Sequence, residues 1–212
     1  MSIEQSILEG SERLGIPLPA EAVARLGAYL TLLERWNRAY NLTAVRDPEA
    51  MVVRHVLDSL SILPWLEGPR VLDVGSGAGL PGIPLAIARP EQGFCLLDSN
   101  GKRTRFLTQV AAELRLGNVA VVRGRVEDYR PEILFDSVVS RAFSTLADMV
   151  ADAGRLCAPE GRLLAMKGVF PDDELARLPP GFVVVGVYPL RVPSLDAERH
   201  LVHLAPAPAL RD

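Results

Sequence analysis

The stretch Val71-Leu72-Asp73-Val74-Gly75-Ser76-Gly77-Ala78-Gly79 decides the fold. It reads as a buried strand that enters a glycine-rich turn and then a helix over about residues 80–89. Alternating glycines let the backbone turn sharply and let a ligand come close to the main chain. The helix behind the turn is expected to aim free N–H groups at that ligand. Asp73 stands two residues before the first glycine. A carboxylate there suits a ligand bearing an ammonium group and a sulfonium charge better than one bearing a pyrophosphate.

The rest of the chain frames that turn. Its 212 residues, 49% hydrophobic, suffice for one compact unit with a substantial core. A net charge of −3 supplies no global field for nucleic acid, so any RNA contact needs a local basic face. Cys95 and Cys157 lie in apolar surroundings and read as core residues in a reducing compartment. No apolar run is long enough to span a membrane, and the N-terminus lacks the order of a signal peptide. The expectation is a soluble, cytoplasmic protein.

Residues 1–66 read as a helical cap. Ser2 is placed to cap a first helix that Pro17 and Pro19 end. A second runs over residues 20–37, with Val23, Leu26, Leu30, Leu33 and Trp36 on one face. Asp47-Pro48-Glu49 opens a third, and Asp58 or Ser59 begins one more. From there residues 67–212 alternate strands and helices. Strands are expected at 70–74, 93–98, 119–123, 135–140, 161–167, 182–189 and 199–205, with helices at 80–89, 100–115, 145–157 and 171–177. The first strands are continuous apolar runs, as in a parallel sheet covered on both faces. The last two lack a helix-length connection, which places an antiparallel pair at one edge.

Gly77-Ala78-Gly79-Leu80-Pro81-Gly82 also matches the dinucleotide fingerprint. Asp98, at the end of the second strand, can accept both hydroxyls of a ribose. Both NAD and S-adenosylmethionine carry a ribose at that point. Asp73, the antiparallel end of the sheet and Arg125-Val126-Glu127-Asp128, placed to close over an adenine edge, lean toward S-adenosylmethionine. The alternative is a glycine turn that serves strand–helix packing alone.

Several segments carry a family resemblance. Trp36-Asn37-Arg38-Ala39-Tyr40-Asn41-Leu42-Thr43 and His55-Val56-Leu57-Asp58-Ser59-Leu60 precede the turn with Leu80-Pro81-Gly82-Ile83-Pro84. Asp98-Ser99-Asn100-Gly101-Lys102-Arg103, Ser140-Arg141-Ala142-Phe143, Met166-Lys167-Gly168 and Glu198-Arg199-His200 follow it in order. Together they resemble the bacterial small-subunit ribosomal RNA guanine methyltransferases, the glucose-inhibited division protein B family. Asn100 departs from the pattern, which has a larger residue before the glycine.

The resemblance implies a Rossmann-like class I methyltransferase: an α/β fold with a seven-stranded, mostly parallel sheet behind an N-terminal helical cap. It implies S-adenosylmethionine as cofactor and 7-methylguanosine at one position of 16S ribosomal RNA near the decoding site as product. Matching positions put cofactor contacts at Gly75, Leu80, Asp98, Ser99, Asn100, Val126, Glu127 and Arg141. The residue reading adds Asp73, Gly77 and Gly79.

The chemistry is consistent with that product. Guanine N7 has an in-plane lone pair and no proton to lose. Holding it in line with a sulfonium methyl at about 3–3.5 Å supplies roughly 7–11 kcal/mol by positioning alone. No general base is needed. Ser140-Arg141-Ala142-Phe143 occupies the place where amino-methyltransferases carry an Asp/Asn-Pro-Pro-aromatic motif, and neither cysteine is placed as the nucleophile that carbon-5 methylation requires. Arg141 is the residue to single out for positioning. It reaches the methionine carboxylate or donates to the guanine; otherwise it forms an ion pair with Asp73 or Asp136.

Arg35, Arg38, Asn41, Arg46, Lys102, Arg103, Arg125, Lys167 and Arg199 are candidates to contact RNA, with Phe143 a candidate to stack on a base. His55 reads as a hydrogen-bonded packing residue, and no residues carry metal-ligand spacing. The expected partner is 16S RNA in the small subunit or an assembly intermediate, met by a monomer without a metal or a membrane. Three rivals stay open: a small-molecule methyltransferase, an NAD-dependent reductase and a non-catalytic RNA-binding factor.

Overall fold

The computed structural model describes residues 2–208. The N-terminal helices follow the apolar spacing. α1 spans Ile3–Arg13, and Ser2 Oγ accepts from the Gln5 amide at 3.2 Å. α2 spans Ala20–Tyr40, three residues past the expected end, and stops where Asn41 adopts a left-handed conformation. Asp47 caps α3 (Pro48–Met51), its carboxylate accepting from the Ala50 amide at 2.7 Å. The chain then winds without a break through a wider π-helical turn, Val52–Leu57, into α4 (Asp58–Leu60). The sequence suggests two helices here. The structure makes one, with a π turn in its middle, a feature frequent at functional sites.

The alternating part holds β1 (Arg70–Val74), α5 (Gly82–Ala88), β2 (Gly93–Asp98), α6 (Gly101–Glu113), β3 (Val119–Arg123), β4 (Phe135–Ser140), α7 (Leu146–Ala153), β5 (Cys157–Lys167), α8 (Asp172–Leu175), β6 (Phe182–Pro189) and β7 (His200–Pro206). Several boundaries differ from expectation. α5 starts at Gly82, because residues 76–81 are used by the turn. α7 ends at Ala153 and a 3-10 turn, Gly154–Leu156, follows it. Cys157 is therefore the first residue of β5, not the end of a helix. β5 also begins four residues early, with an irregularity between Phe135 and Ser137 of its partner absorbing the extra length.

The sheet order is β3-β2-β1-β4-β5-β7-β6. The first five strands are mutually parallel, and β7 runs antiparallel between β5 and β6. β1 connects to β2 on one side and pairs with β4 on the other, so a crevice opens beyond their carboxyl ends. Alternate residues of each strand feed two cores. Val71 and Leu96 join Ile7, Leu26, Leu33, Ile83 and Phe106 on the face that carries α5, α6 and the N-terminal helices. Leu72 and Leu97 join Leu146, Met149 and Leu163 under α7. Among the described residues no helix is long and apolar enough to cross a membrane.

Candidate functional site

The crevice holds a cavity of about 320 Å³, within the range of small-molecule sites. Its floor is the glycine turn. The Gly75 and Ser76 amides both donate to the Leu97 carbonyl, at 2.8 and 3.2 Å, which fastens the turn to the end of β2. Gly75 has φ +70°, and a Cβ built on it would lie 2.5 Å from the Ala142 Cβ. Glycine is therefore required there, and the segment after β4 lies directly on the turn. Ser140 sets that segment: its hydroxyl donates to the Val74 carbonyl at 2.8 Å and accepts from the Ala142 amide at 3.0 Å.

Gly75, Asp98, Ser99, Val126 and Glu127 line the cavity, joined by Arg103, Arg125 and Phe143 from the RNA candidates. Asp98 is buried. Its Oδ1 accepts from the Asn100 amide at 2.8 Å, and its Oδ2 accepts from the Gly77 amide at 2.9 Å with Arg103 Nη1 at 3.5 Å. A carboxylate offers about four lone-pair directions, so beside these three donors one remains for a ribose hydroxyl. The turn Val126–Asp128 is held from α7's side: Arg155 donates to the Tyr129 carbonyl at 2.8 Å and to the Val126 carbonyl.

The other expected cofactor residues stand behind this wall. Gly77 presents its amide to Asp98, and Gly79 packs against Ile83 and Leu107. Leu80 is half-buried against the core. Asn100 caps α6, accepting from the Lys102 and Arg103 amides at 2.9 and 3.4 Å. Asp73 is fully buried, with Oδ2 accepting from the Gly82 amide at 2.9 Å and Oδ1 without a partner. Burial pushes its carboxyl up to about 7, opposed by the Gly82 amide and the Arg141 charge, while the Ser76 hydroxyl donates to the Asp73 main-chain carbonyl at 2.9 Å. The expectation that α5 aims free N–H groups at a ligand fails for a local reason. The Leu80, Gly82 and Ile83 amides are already taken by Ser76, Asp73 and Gly79.

Arg141 pairs with neither Asp73 nor Asp136. Its Nη1 lies 3.4 Å from Asp58 Oδ2, while Asp136 accepts from the Arg70 amide at 2.9 Å. Arg199 Nε donates to the other oxygen of Asp58 at 3.0 Å. Lys167 bonds the Ser144 carbonyl at 3.0 Å and Glu174 at 2.8 Å, so its ammonium braces the segment after β4 instead of facing outward. On the outer surface, Arg35 pairs with Glu113 at 3.1 Å and Arg38 with Glu34 at 2.7 Å. Asn41, Arg46 and Lys102 are exposed.

Sequence reasoning misses three residues of the site. Asp58 stands out only as part of a family segment, although an acid among Val56, Leu57 and Leu60 is itself a signal. Tyr29 donates to the Ala78 carbonyl at 2.7 Å and so ties α2 to the turn. Arg155 carries no signal, since its partners are backbone carbonyls. His55 behaves as expected: Nε2 meets Thr43 Oγ1 at 2.9 Å, and burial brings its pKa down to about 4. Asn37 is structural, its Oδ1 accepting from the Thr43 amide at 2.9 Å. Among the described residues no group of three or more His, Cys, Asp or Glu could hold a metal.

Similarity to known proteins agrees with this geometry. The family model described as rRNA small subunit methyltransferase G matches residues 22–202. A protein of Nitrosococcus oceani named ribosomal RNA small subunit methyltransferase G is 58% identical over 206 residues, 97% of this chain and 96% of the relative. One of the same name from Yersinia enterocolitica is 58% identical over 191 residues, 90% of this chain and 93% of the relative. Among solved structures, the glycopeptide N-methyltransferase MtfA complexed with S-adenosylmethionine superposes with a TM-score of 0.61 at 13% identity. The match covers 72% of this chain and 87% of that one. That likeness shows the class I methyltransferase fold.

Proposed function

We infer, because the chain belongs to the rRNA small subunit methyltransferase G family, that it methylates 16S ribosomal RNA with S-adenosylmethionine. The observation that carries the reading is the cavity between the glycine turn and Asp98, in a chain whose relatives bear that name over nearly its whole length. The residues suit the cofactor on three counts. Gly75 lines the cavity with bare main chain, since Ala142 leaves no room for a Cβ there. Asp98 has one lone-pair direction left for a ribose hydroxyl. Asp73 Oδ1 is a buried acceptor still lacking a donor, as an ammonium group requires.

S-adenosylmethionine supplies an electrophilic methyl on a sulfonium centre. The chain's part is positioning. Asp98 holds the ribose, the turn Val126–Asp128 covers the adenine, and Asp73 with Arg141 takes the amino-acid end. Phe143 stacks on the guanine at the cavity mouth. No side chain has to remove a proton, because N7 of guanine already offers its lone pair. His55 is uncharged near neutral pH and committed to Thr43.

The RNA grip falls to Arg35, Arg38, Asn41, Arg46, Lys102, Arg103 and Arg125, with residues 1–66 as a recognition cap on a catalytic core of residues 67–212. Arg199 and Lys167 act from inside as braces. The protein works as a cytoplasmic monomer without a metal, on the small subunit or an assembly intermediate. Nucleoside mass spectrometry of 16S RNA from a deletion strain tests this. Loss of one 7-methylguanosine, restored by the chain, is expected; an unchanged nucleoside profile would overturn it.

A further inference from the structure

Asp58 is only 1% exposed, yet two arginines from distant segments converge on it. It opens α4 directly after the π-helical turn. Arg141 follows β4 and approaches Oδ2 at 3.4 Å; Arg199 precedes β7 and donates to Oδ1 at 3.0 Å. One buried carboxylate thus faces two guanidinium groups, leaving an excess positive charge at the junction of the helical cap and the sheet. Arg199 is well served, since its Nη1 also donates to the Glu198 carbonyl at 2.8 Å. Arg141 is not. Its Nη1 is buried, within ion-pair distance of Asp58 but without a hydrogen bond. A buried charged donor left unbonded is costly, so a site of this kind awaits a partner.

The nearby carboxylate in want of a cation is Asp73, whose Oδ1 is also buried and unbonded. Asp73 pairs across β1 and β4 with Val139, two residues before Arg141, so the two side chains stand on neighbouring strand ends and the guanidinium acts on Asp73 through its charge. An Arg141–Asp73 pair would take both groups away from a ligand. Asp58 offers the competing anion, and Arg199 fixes Asp58 from the opposite side.

We propose that Asp58 is a positioning residue for cofactor binding: braced by Arg199, it holds Arg141 off Asp73. The guanidinium is then free for a ligand's carboxylate and Asp73 for its ammonium. The proposal rests on the reading above that Arg141 and Asp73 bind the amino-acid end of the cofactor. It adds that the helical cap builds part of that subsite. The two roles differ in what they predict. A purely structural ion pair changes stability and leaves cofactor affinity as it was, whereas a positioning residue matters to affinity, and only while Arg141 is present.

A double-mutant cycle on the full chain separates them, read as affinity for S-adenosylhomocysteine by calorimetry. Arg141→Gln is expected to weaken binding about tenfold, and Asp58→Asn at least about threefold. The pair together should bind within about twofold of Arg141→Gln alone, the signature of one shared interaction. Losses that multiply, or an Asp58→Asn protein with wild-type affinity beside a weakened Arg141→Gln, would overturn the proposal. An Arg141→Gln protein with unchanged affinity would instead overturn the underlying reading of the subsite, and the proposal with it. If Asp58→Asn does not fold, the same cycle with Arg199→Gln removes the brace while retaining the Asp58 carboxylate. It should show the same loss of effect once Arg141 is gone; multiplying losses there would also overturn the proposal.

Discussion

Tyr29 Oη, fully buried in α2, donates to the Ala78 carbonyl at 2.7 Å inside the glycine turn. The turn is thus held from two directions, by β2 through the Leu97 carbonyl and by the helical cap through this hydroxyl. Burial drives the phenol upward from its ordinary pKa, so it stays a donor at every physiological pH. Tyr29→Phe leaves the carbonyl buried without that donor, at a cost of about 1–3 kcal/mol. In a domain of this size each kcal/mol lowers Tm by roughly 2–4 °C, which a thermal melt reads directly.

With Asp73 at the proposed ammonium subsite, cofactor binding should depend on pH. In the free protein its carboxyl is pushed up to about 7, so ionising it costs stability progressively as pH rises from about 4 to about 7. A bound ammonium beside Oδ1 favours the ionised form. Binding should therefore release a proton across that window, and affinity for S-adenosylhomocysteine should rise with pH, by at most about tenfold per pH unit. Calorimetry at pH 6 and pH 8, in buffers of different ionisation enthalpy, checks both, and Asp73→Asn should abolish the dependence.

Gly82 admits no side chain. A Cβ there would lie 2.2 Å from Leu96 Cδ2 and 2.6 Å from Asp73 Oδ2. Gly82→Ala should cost on the order of 1–3 kcal/mol by overpacking and displace the Asp73 carboxylate as well. Gly75→Ala meets the Ala142 methyl and a left-handed backbone. Its expected loss is chiefly of cofactor affinity, about tenfold or more, with denaturant melts and calorimetry separating the two effects.

His55 predicts acid sensitivity. Its pKa is brought down to about 4 by burial, so the unfolded chain takes up this proton first on acidification. The contribution to stability is present above about pH 6.5 and is lost as pH falls toward 4. His55→Gln should lower stability at pH 7, through the Thr43 contact, while flattening its decline between pH 6.5 and 4 in denaturant titrations.

Where the sequence carries a period, the fold is legible. Apolar runs locate every strand start to within a residue except that of β5, whose first residues pair around an irregularity. Asp47-Pro48 announces α3 by capping chemistry alone. The π turn is not legible, because an extra residue in a helix leaves no mark on so short an apolar pattern. In the site, Gly75 and Asp98 are readable from the strand–turn–helix context. Arg141 is readable from its place after β4, but its partner is not: Asp58 lies 83 positions away along the chain, and ion pairs of that span have no sequence signature. Arg199 reads as a surface cation for the same reason, and Lys167 because the turn that brings Glu174 back to it has no periodic signature.

The measurement closest to the central claim is a calorimetric titration of the purified chain with S-adenosylhomocysteine, beside its Asp98→Ala variant. Saturable one-to-one binding to the wild type is predicted, with a loss of about tenfold or more in the variant, since the carboxylate that holds the turn, and that in the proposed site holds the ribose, is gone. Absence of binding at millimolar ligand, or equal affinity in the two proteins, would contradict it.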